Sequence, residues 1–525
     1  RETPLTTKVN TGEEPLANTI WGVNGSWKTE MQWLTNAIDK IPWITATQPS
    51  TFQINAEFAH LIPGHTKDVG KVGTAYIDDF EATKTGIDIH YPSYWFLSST
   101  PSTFAESKLS NDVAYGKNRA LLAWYVVDPI FGYPQSNTPK HIKEDIEALS
   151  DHRTRIVYEQ EIYPNKEVLA NADTRLAILN MSYYPEERGP YNIYYDNSQY
   201  TDTGSLTRPK ERWGGMMRRL DNTDFEKSNI EYIEFWLMDP GLTNPDGYDG
   251  ELYFNLGDIS EDILRDGKKS FEHGLPVSSL DETRMDTTIW GRMPRTTSTT
   301  VAFSNESGAR KLQDVGLNGL SSKQEFEYTY NGKRPYLDYV NALRTQLTGK
   351  RNSQNQDILQ LWGADRFSPL NDPAGDLFHY YRGTDFDSAE VSILERYKHY
   401  NNTEGNSPDT ESQTESYGTA ATMQPDIEDI NNDNTLNEYE KYFQYKVILR
   451  PDMMEVGKQH ITEKLVSKVD LRNGQKAEVT WYQFKIPLRG DSAEVQTIGN
   501  IRNFKSIRFM RIFMTNCAHE THLRF

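Results

Sequence analysis

Residues 52–58 read Phe-Gln-Ile-Asn-Ala-Glu-Phe, an unbroken alternation of apolar and polar side chains. A two-residue period commits this stretch to a β-strand with one apolar face and one polar face. Two settings satisfy such a strand. One is the half-buried strand of a soluble sheet; the other is the wall of a membrane barrel, with lipid on one side and a polar lumen on the other. A helical membrane span is excluded, because no apolar run approaches the roughly 18 residues it needs. Just upstream, Met31, Leu34, Ile38 and Ile41 recur at helical spacing, and Pro42 ends the helix they predict.

Composition points the same way. Aromatic residues make up 12% of the chain, with 30 Tyr and 11 Trp, which suits strands and half-exposed surfaces better than helical bundles. The net charge of −19 repels a phosphate backbone, so nucleic acid is not an expected partner. That charge serves solubility or cation binding. The one cysteine, Cys517, allows neither an intrachain disulfide nor a tetrahedral cysteine zinc site. A length of 525 residues predicts two to four domains. The chain opens on Arg1 without a signal peptide and closes soon after the apolar run Ser506–Met514. A segment of a longer polypeptide is the simplest expectation.

The fold class expected is mainly β with short helices: β-sandwich or jelly-roll-like domains, inserted in or flanked by strands of a large barrel. Residues 1–69 read as barrel strands and a linker helix, and 70–325 as a β-sandwich-like domain. Within the latter, Gly73–Ile89, Leu121–Val127, Arg155–Tyr163 and Thr174–Tyr184 predict strands, while Ile142, Ile146 and Leu149 predict a short helix. Ile230–Met238 and Glu251–Leu256 predict a hairpin with a long loop. Asp258 and Glu261 have the spacing of a capping box before a short helical turn. Residues 326–425 read as mixed. They contain a turn at Asn331-Gly332 and a helix opened by Pro335 with Tyr336, Val340, Leu343 and Leu347 on one face. A second helix over Ser388–Tyr400, with Asp387 as its cap, and a loop over Asn401–Gln424 complete the region. Residues 426–525 hold a second β-sandwich-like element. Its run Ser506–Met514 echoes Asn229–Leu237, through either a duplicated domain or chance.

The most specific local motif is Asp429-Ile-Asn-Asn-Asp-Asn-Thr-Leu-Asn-Glu-Tyr-Glu440. It matches the twelve-residue calcium loop, with ligands Asp429, Asn431, Asp433, the Thr435 carbonyl, Asn437 and a bidentate Glu440. Calcium is a hard ion that takes six to eight oxygens, which this set supplies. Asn434 stands where the motif wants Gly, and Asn tolerates the left-handed backbone required. Pro425 blocks an incoming helix and Tyr442–Leu449 alternates like a strand, so a structural Ca2+ is expected rather than a helix-loop-helix sensor. The alternative is an Asn/Asp loop held by its own side-chain turns.

No nucleophile elbow, phosphate loop or dinucleotide fingerprint is present. His519 and His522 stand three apart, and Asp78 and Asp79 are adjacent. In extended chain both pairs point to opposite sides. Not an enzyme is therefore the expectation. Among soluble proteins, an aromatic β-sandwich with structural calcium suggests a glycan-binding surface protein.

Longer words carry a resemblance. Ala75–Ala82 (AYIDDFEA), Tyr184–Asn192 (YPEERGPYN) and Arg212–Arg218 (RWGGMMR) are similar to the SprA/Sov family. So are Asp221–Phe225, Glu231–Pro240, Leu252–Gly267 (LYFNLGDISEDILRDG), Gln313–Leu317, Asp426–Tyr445 and Asn503–Met510, in order along nearly the whole chain. That family is the outer-membrane translocon of the type IX secretion system of Bacteroidetes, tied to gliding motility. The resemblance implies a very large single-chain β-barrel in the cell outer membrane. Folded cargo with C-terminal signals passes through it, and accessory outer-membrane and periplasmic proteins shield or plug it. It implies that 52–58 is a barrel strand, that the material after Gly70 forms a cell-surface cap or lumen lining, and that no residue is catalytic.

Overall fold

The computed structural model describes residues 19–45, 48–62, 86–166, 168, 172–278, 281–296, 300–409, 422–489 and 495–525. The Ala75–Ala82 run, Asp78-Asp79, most of the Gly73–Ile89 strand and residues 410–421 of the expected loop lie outside them. The chain divides into two compact units, Arg1–Ala82 with Tyr158–Thr174, and Thr83–Val157 with Arg175–Phe525.

In the first unit, Thr19–Glu30 and Thr51–Ile62 form an antiparallel pair of twelve-residue strands. The alternation seen at 52–58 is matched across the pair from Val23 to Thr29 and lapses toward the open end, where Ile20 faces Leu61 and Gly22 faces Ala59. A short helix, Gln32–Ile38, sits in the connection where helical spacing predicts one. Its Thr35 hydroxyl accepts the Ser50 N–H (2.7 Å), and the Met31 N–H donates to the Ser50 carbonyl (2.8 Å), tying the two ends of the connection together.

The second unit is mainly β. A six-stranded antiparallel sheet runs in the order Val495–Ile498, Lys441–Ile448, Glu251–Asp258, Phe509–Thr515, Trp213–Arg219 and Phe96–Leu97. Phe509–Thr515 lies in its interior and is buried along its whole length, which accounts for the nearly continuous apolar sequence Phe-Met-Arg-Ile-Phe-Met. A three-stranded sheet of Ile461–Asp470, Lys476–Pro487 and Tyr232–Met238 shares its core: Phe235 stacks on Phe484 (4.9 Å between centroids) and meets Phe254 of the larger sheet at 5.4 Å. Another three-stranded sheet joins Thr521–Arg524, Asn180–Arg188 and Ala120–Tyr125. Gly214 is required where this sheet approaches the first, since a Cβ there would stand 2.9 Å from both the Leu122 Cβ and the Tyr183 ring. No closed barrel forms among the described residues.

Several elements depart from expectation. Tyr232–Met238 and Glu251–Asp258 are strands, but they do not pair with each other. Asp239 caps a helical turn, Pro240–Thr243, by accepting the Gly241 N–H, and the chain crosses from one sheet to another. The echoing strands, Tyr232–Met238 and Phe509–Thr515, likewise stand in different sheets. Arg155–Tyr163 yields only the two-residue strand Val157–Tyr158 followed by the helical turn Glu159–Ile162. Pro335–Leu347 is a helix with Tyr336, Val340, Leu343 and Leu347 buried, as its spacing predicts. The second helix is instead two turns, Thr384–Ser388 and Ile393–Tyr397, broken where Glu390 takes a left-handed backbone (φ 53°). Ser392, not Asp387, caps the latter turn.

Candidate functional site

Register decides the character of the hairpin. Cross-strand partners share a face, so Trp21↔His60, Val23↔Phe58, Gly25↔Ala56, Trp27↔Ile54 and Thr29↔Phe52 form one side. Asn24↔Glu57, Ser26↔Asn55, Lys28↔Gln53 and Glu30↔Thr51 form the other, with Gly22↔Ala59 and Ile20↔Leu61 continuing it at the open end. Trp21 packs against Phe58 and Trp27 against Phe52, at 5.3 and 6.2 Å between ring centroids. Yet Val23 is 64% exposed, Trp27 58% and Phe58 54%. Trp33 and Trp43, in the connection between the strands, are also exposed. Neither outer edge of the hairpin has a strand partner among the described residues.

The acidic loop folds locally around the Asp433 amide. Asp429 Oδ1 and Asn431 Oδ1 both accept the Asp433 N–H, at 3.0 and 2.8 Å. Asp433 Oδ1 in turn accepts the Thr435 N–H (2.9 Å) and hydroxyl (2.5 Å). Asn432 and Asn434 take left-handed backbones, φ 57° and 66°, the latter at the position where a calcium loop wants Gly. The second half points elsewhere. Asn437 Nδ2 donates to the Ile259 carbonyl (2.7 Å). Glu440 accepts two hydrogen bonds from Arg511, at 3.2 and 2.8 Å, and the Ser260 N–H. Arg511 is fully buried and lies over the Tyr442 ring, so this pair locks the loop to the interior strand Phe509–Thr515.

Sequence reasoning placed Glu261 at a helix cap; it belongs to this loop instead. Its two carboxylate oxygens accept the Asn431 and Asn437 N–H groups (3.3 and 3.2 Å), and it is fully buried. Burial, with the charges of Asp429 and Asp433 adding, pushes its carboxyl up to about 8. Lys269 stands 3.4 Å from Asp429. The loop's first half therefore gathers Asp429, Asn431, Asp433 and Glu261, an all-oxygen donor set suited to a hard cation. Glu440 would join only by leaving Arg511.

His519 and His522 line one polar pocket with Arg153, Glu187 and Glu520, not opposite sides. The strand begins only at Thr521, so strand alternation does not apply to His519. His522 Nδ1 lies 2.8 Å from the Ser182 hydroxyl and Nε2 3.3 Å from Glu520. This outlines a hydrolytic triad, but Ser182 is sealed on its strand at 1% exposure and shared with the Tyr125 hydroxyl. A nucleophile must reach its substrate.

Residues 338–525 match the model of the SprA_N family, described as a motility related/secretion protein. That match covers the C-terminal 188 of the 525 residues; it supports a SprA-family assignment and points to a role related to motility or secretion. No curated protein matches it. No helix among the described residues is long and apolar enough to cross a membrane.

Proposed function

We propose that the chain is a segment of an outer-membrane protein-conducting translocon serving type IX secretion and gliding motility. In this reading the hairpin is part of the barrel wall. The sheets of the second unit, β-sandwich or jelly-roll-like, form an extracellular cap or lumen lining. The carrying observation is the hairpin's apolar face. Six side chains, Trp21, Val23, Trp27, Phe52, Ile54 and Phe58, stand exposed on one side of a pair of twelve-residue strands. Burying each is worth about 1.5–3 kcal/mol, so water is the wrong solvent for that face. At about 3.3 Å per residue, twelve residues tilted near 45° rise about 28 Å, the thickness of a bilayer core. Open strand edges are not tolerated in lipid, so the hairpin's two free edges call for neighbouring strands from the same barrel. Trp33 and Trp43, in the connection, suit the aromatic girdle at the membrane surface.

The partners follow from this reading: secreted cargo with C-terminal signals, and accessory outer-membrane and periplasmic proteins. The Asp429–Glu440 loop is proposed to hold structural Ca2+ through Asp429, Asn431, Asp433 and the Thr435 carbonyl, with Glu261 as the oxygen donor from outside the loop. Calorimetry that shows no Ca2+-dependent heat lost on Asp433→Ala would remove that part alone. For the translocon reading, the test is deletion of residues 19–62 from the gene. Loss of cargo secretion is expected; normal secretion with the shortened protein present in the outer membrane would overturn it.

A further inference from the structure

Beneath the second unit's surface lies a cluster of acids that no motif announces. One carboxylate oxygen from each of Asp372, Asp376 and Glu404 lies within 4.8 Å of the other two. These residues are 1%, 0% and 8% exposed, and Glu325 beside them is fully buried. Backbone amides hold most of the oxygens. Asp372 accepts the Gly375 and Leu377 N–H groups (2.7 and 3.2 Å), Glu404 the Ser322 N–H (2.8 Å) and hydroxyl, and Glu325 the Ala374 N–H (2.9 Å). Asp376 Oδ2 accepts the Tyr191 hydroxyl at 2.7 Å. Its other oxygen, Oδ1, is buried and accepts no hydrogen bond from any described residue.

Among the described residues, Arg188 is a cation beside these four buried carboxyls. The Arg188 guanidinium donates to the Asp372 and Pro373 carbonyls. Ionised groups this buried are tolerated only when paired, metal-bound or neutralised by protons. The geometry favours the ion: Asp376 Oδ1 is buried without a donor among the described residues, and an ion at the centre of the trio would take it together with an oxygen of each neighbour. Oxygens each about 2.4 Å from a calcium ion stand at most about 4.8 Å apart, a limit this trio meets.

We infer that Asp372, Asp376 and Glu404 form a buried site for a hard divalent cation of calcium's class, separate from the Asp429–Glu440 loop. The ion joins the segment 372–377 to Glu404, whose N–H donates to the Asp376 carbonyl (2.8 Å), and so ties together two stretches that lack regular structure.

The test is stoichiometry. The chain is stripped with EDTA, returned to Ca2+ or Mg2+, and its bound metal counted by native mass spectrometry. Asp376→Asn is expected to lose one equivalent that Asp433→Asn keeps. An unchanged count in folded Asp376→Asn, or no metal bound by the parent chain, overturns the proposal. A crystal of the unaltered chain soaked in Tb3+ covers the case in which the variant misfolds. An anomalous peak among the three carboxylates is expected there, and its absence overturns the site.

Discussion

Glu261→Gln tests the acidic loop through its pH dependence. Glu261 is fully buried between two amides, and its carboxyl sits near 8 in the fold against about 4.5 in the unfolded chain. A carboxyl raised on folding favours the native state while protonated. Its contribution is fully present below the unfolded pKa and is lost as pH rises through the folded one. Between about pH 5 and pH 8 the shift amounts to about 3 kcal/mol. The glutamine variant cannot titrate, but it sets an NH2 group against one of the two N–H donors it inherits, at a cost of about 1–3 kcal/mol. At pH 5 the variant should therefore be the less stable chain, and by pH 8 the two should be equal or reversed. Urea unfolding followed by tryptophan fluorescence reads this directly, in EDTA so that no cation masks it. Parallel stability curves for parent and variant across that range would refute the assignment of Glu261 to the loop's electrostatics.

Arg511→Met or Glu440→Gln alone should cost about 3–5 kcal/mol, because each strands a partner of the buried pair, and combining them should recover much of the loss; chemical denaturation of the three variants measures it. Glu390→Gly should stabilise the chain by about 1 kcal/mol by relieving the left-handed backbone between the two helical turns, raising its melting temperature. Phe235→Ala should cost about 2–4 kcal/mol and loosen the contact between the two sheets, seen as faster amide exchange in Lys476–Pro487.

Elements with a strong local period were legible in the sequence: the Thr51–Ile62 strand, the Ala120–Tyr125 strand and the Pro335–Leu347 helix. Pairing was not. Glu251–Asp258 finds its neighbours in Phe509–Thr515 and Lys441–Ile448, nearly two hundred residues or more away, while the strand just before it joins another sheet. Nothing in a local window distinguishes these from a hairpin. The local turn at Asp429–Thr435 was legible for the same reason the helix was, since Asp429, Asn431 and Asp433 act within five residues. Glu261 was not, because its partners lie some 170 residues on and its spacing to Asp258 imitates a cap. The trio Asp372, Asp376 and Glu404 has no motif spacing at all. It is assembled where Leu377 bridges to Glu404, a long-range pairing that leaves no trace in composition.

The central claim is that the hairpin's apolar face meets lipid in the intact secretion protein. Cysteines placed singly at Val23, Ile54 and Phe58, and at Asn24, Asn55 and Glu57 on the opposite face, test it in native outer membranes. Cys517 is buried and gives little background. The first three should resist a water-soluble maleimide but react with a lipid-soluble one, while the second three should react with the water-soluble reagent. Equal and rapid labelling of both faces from water would contradict it.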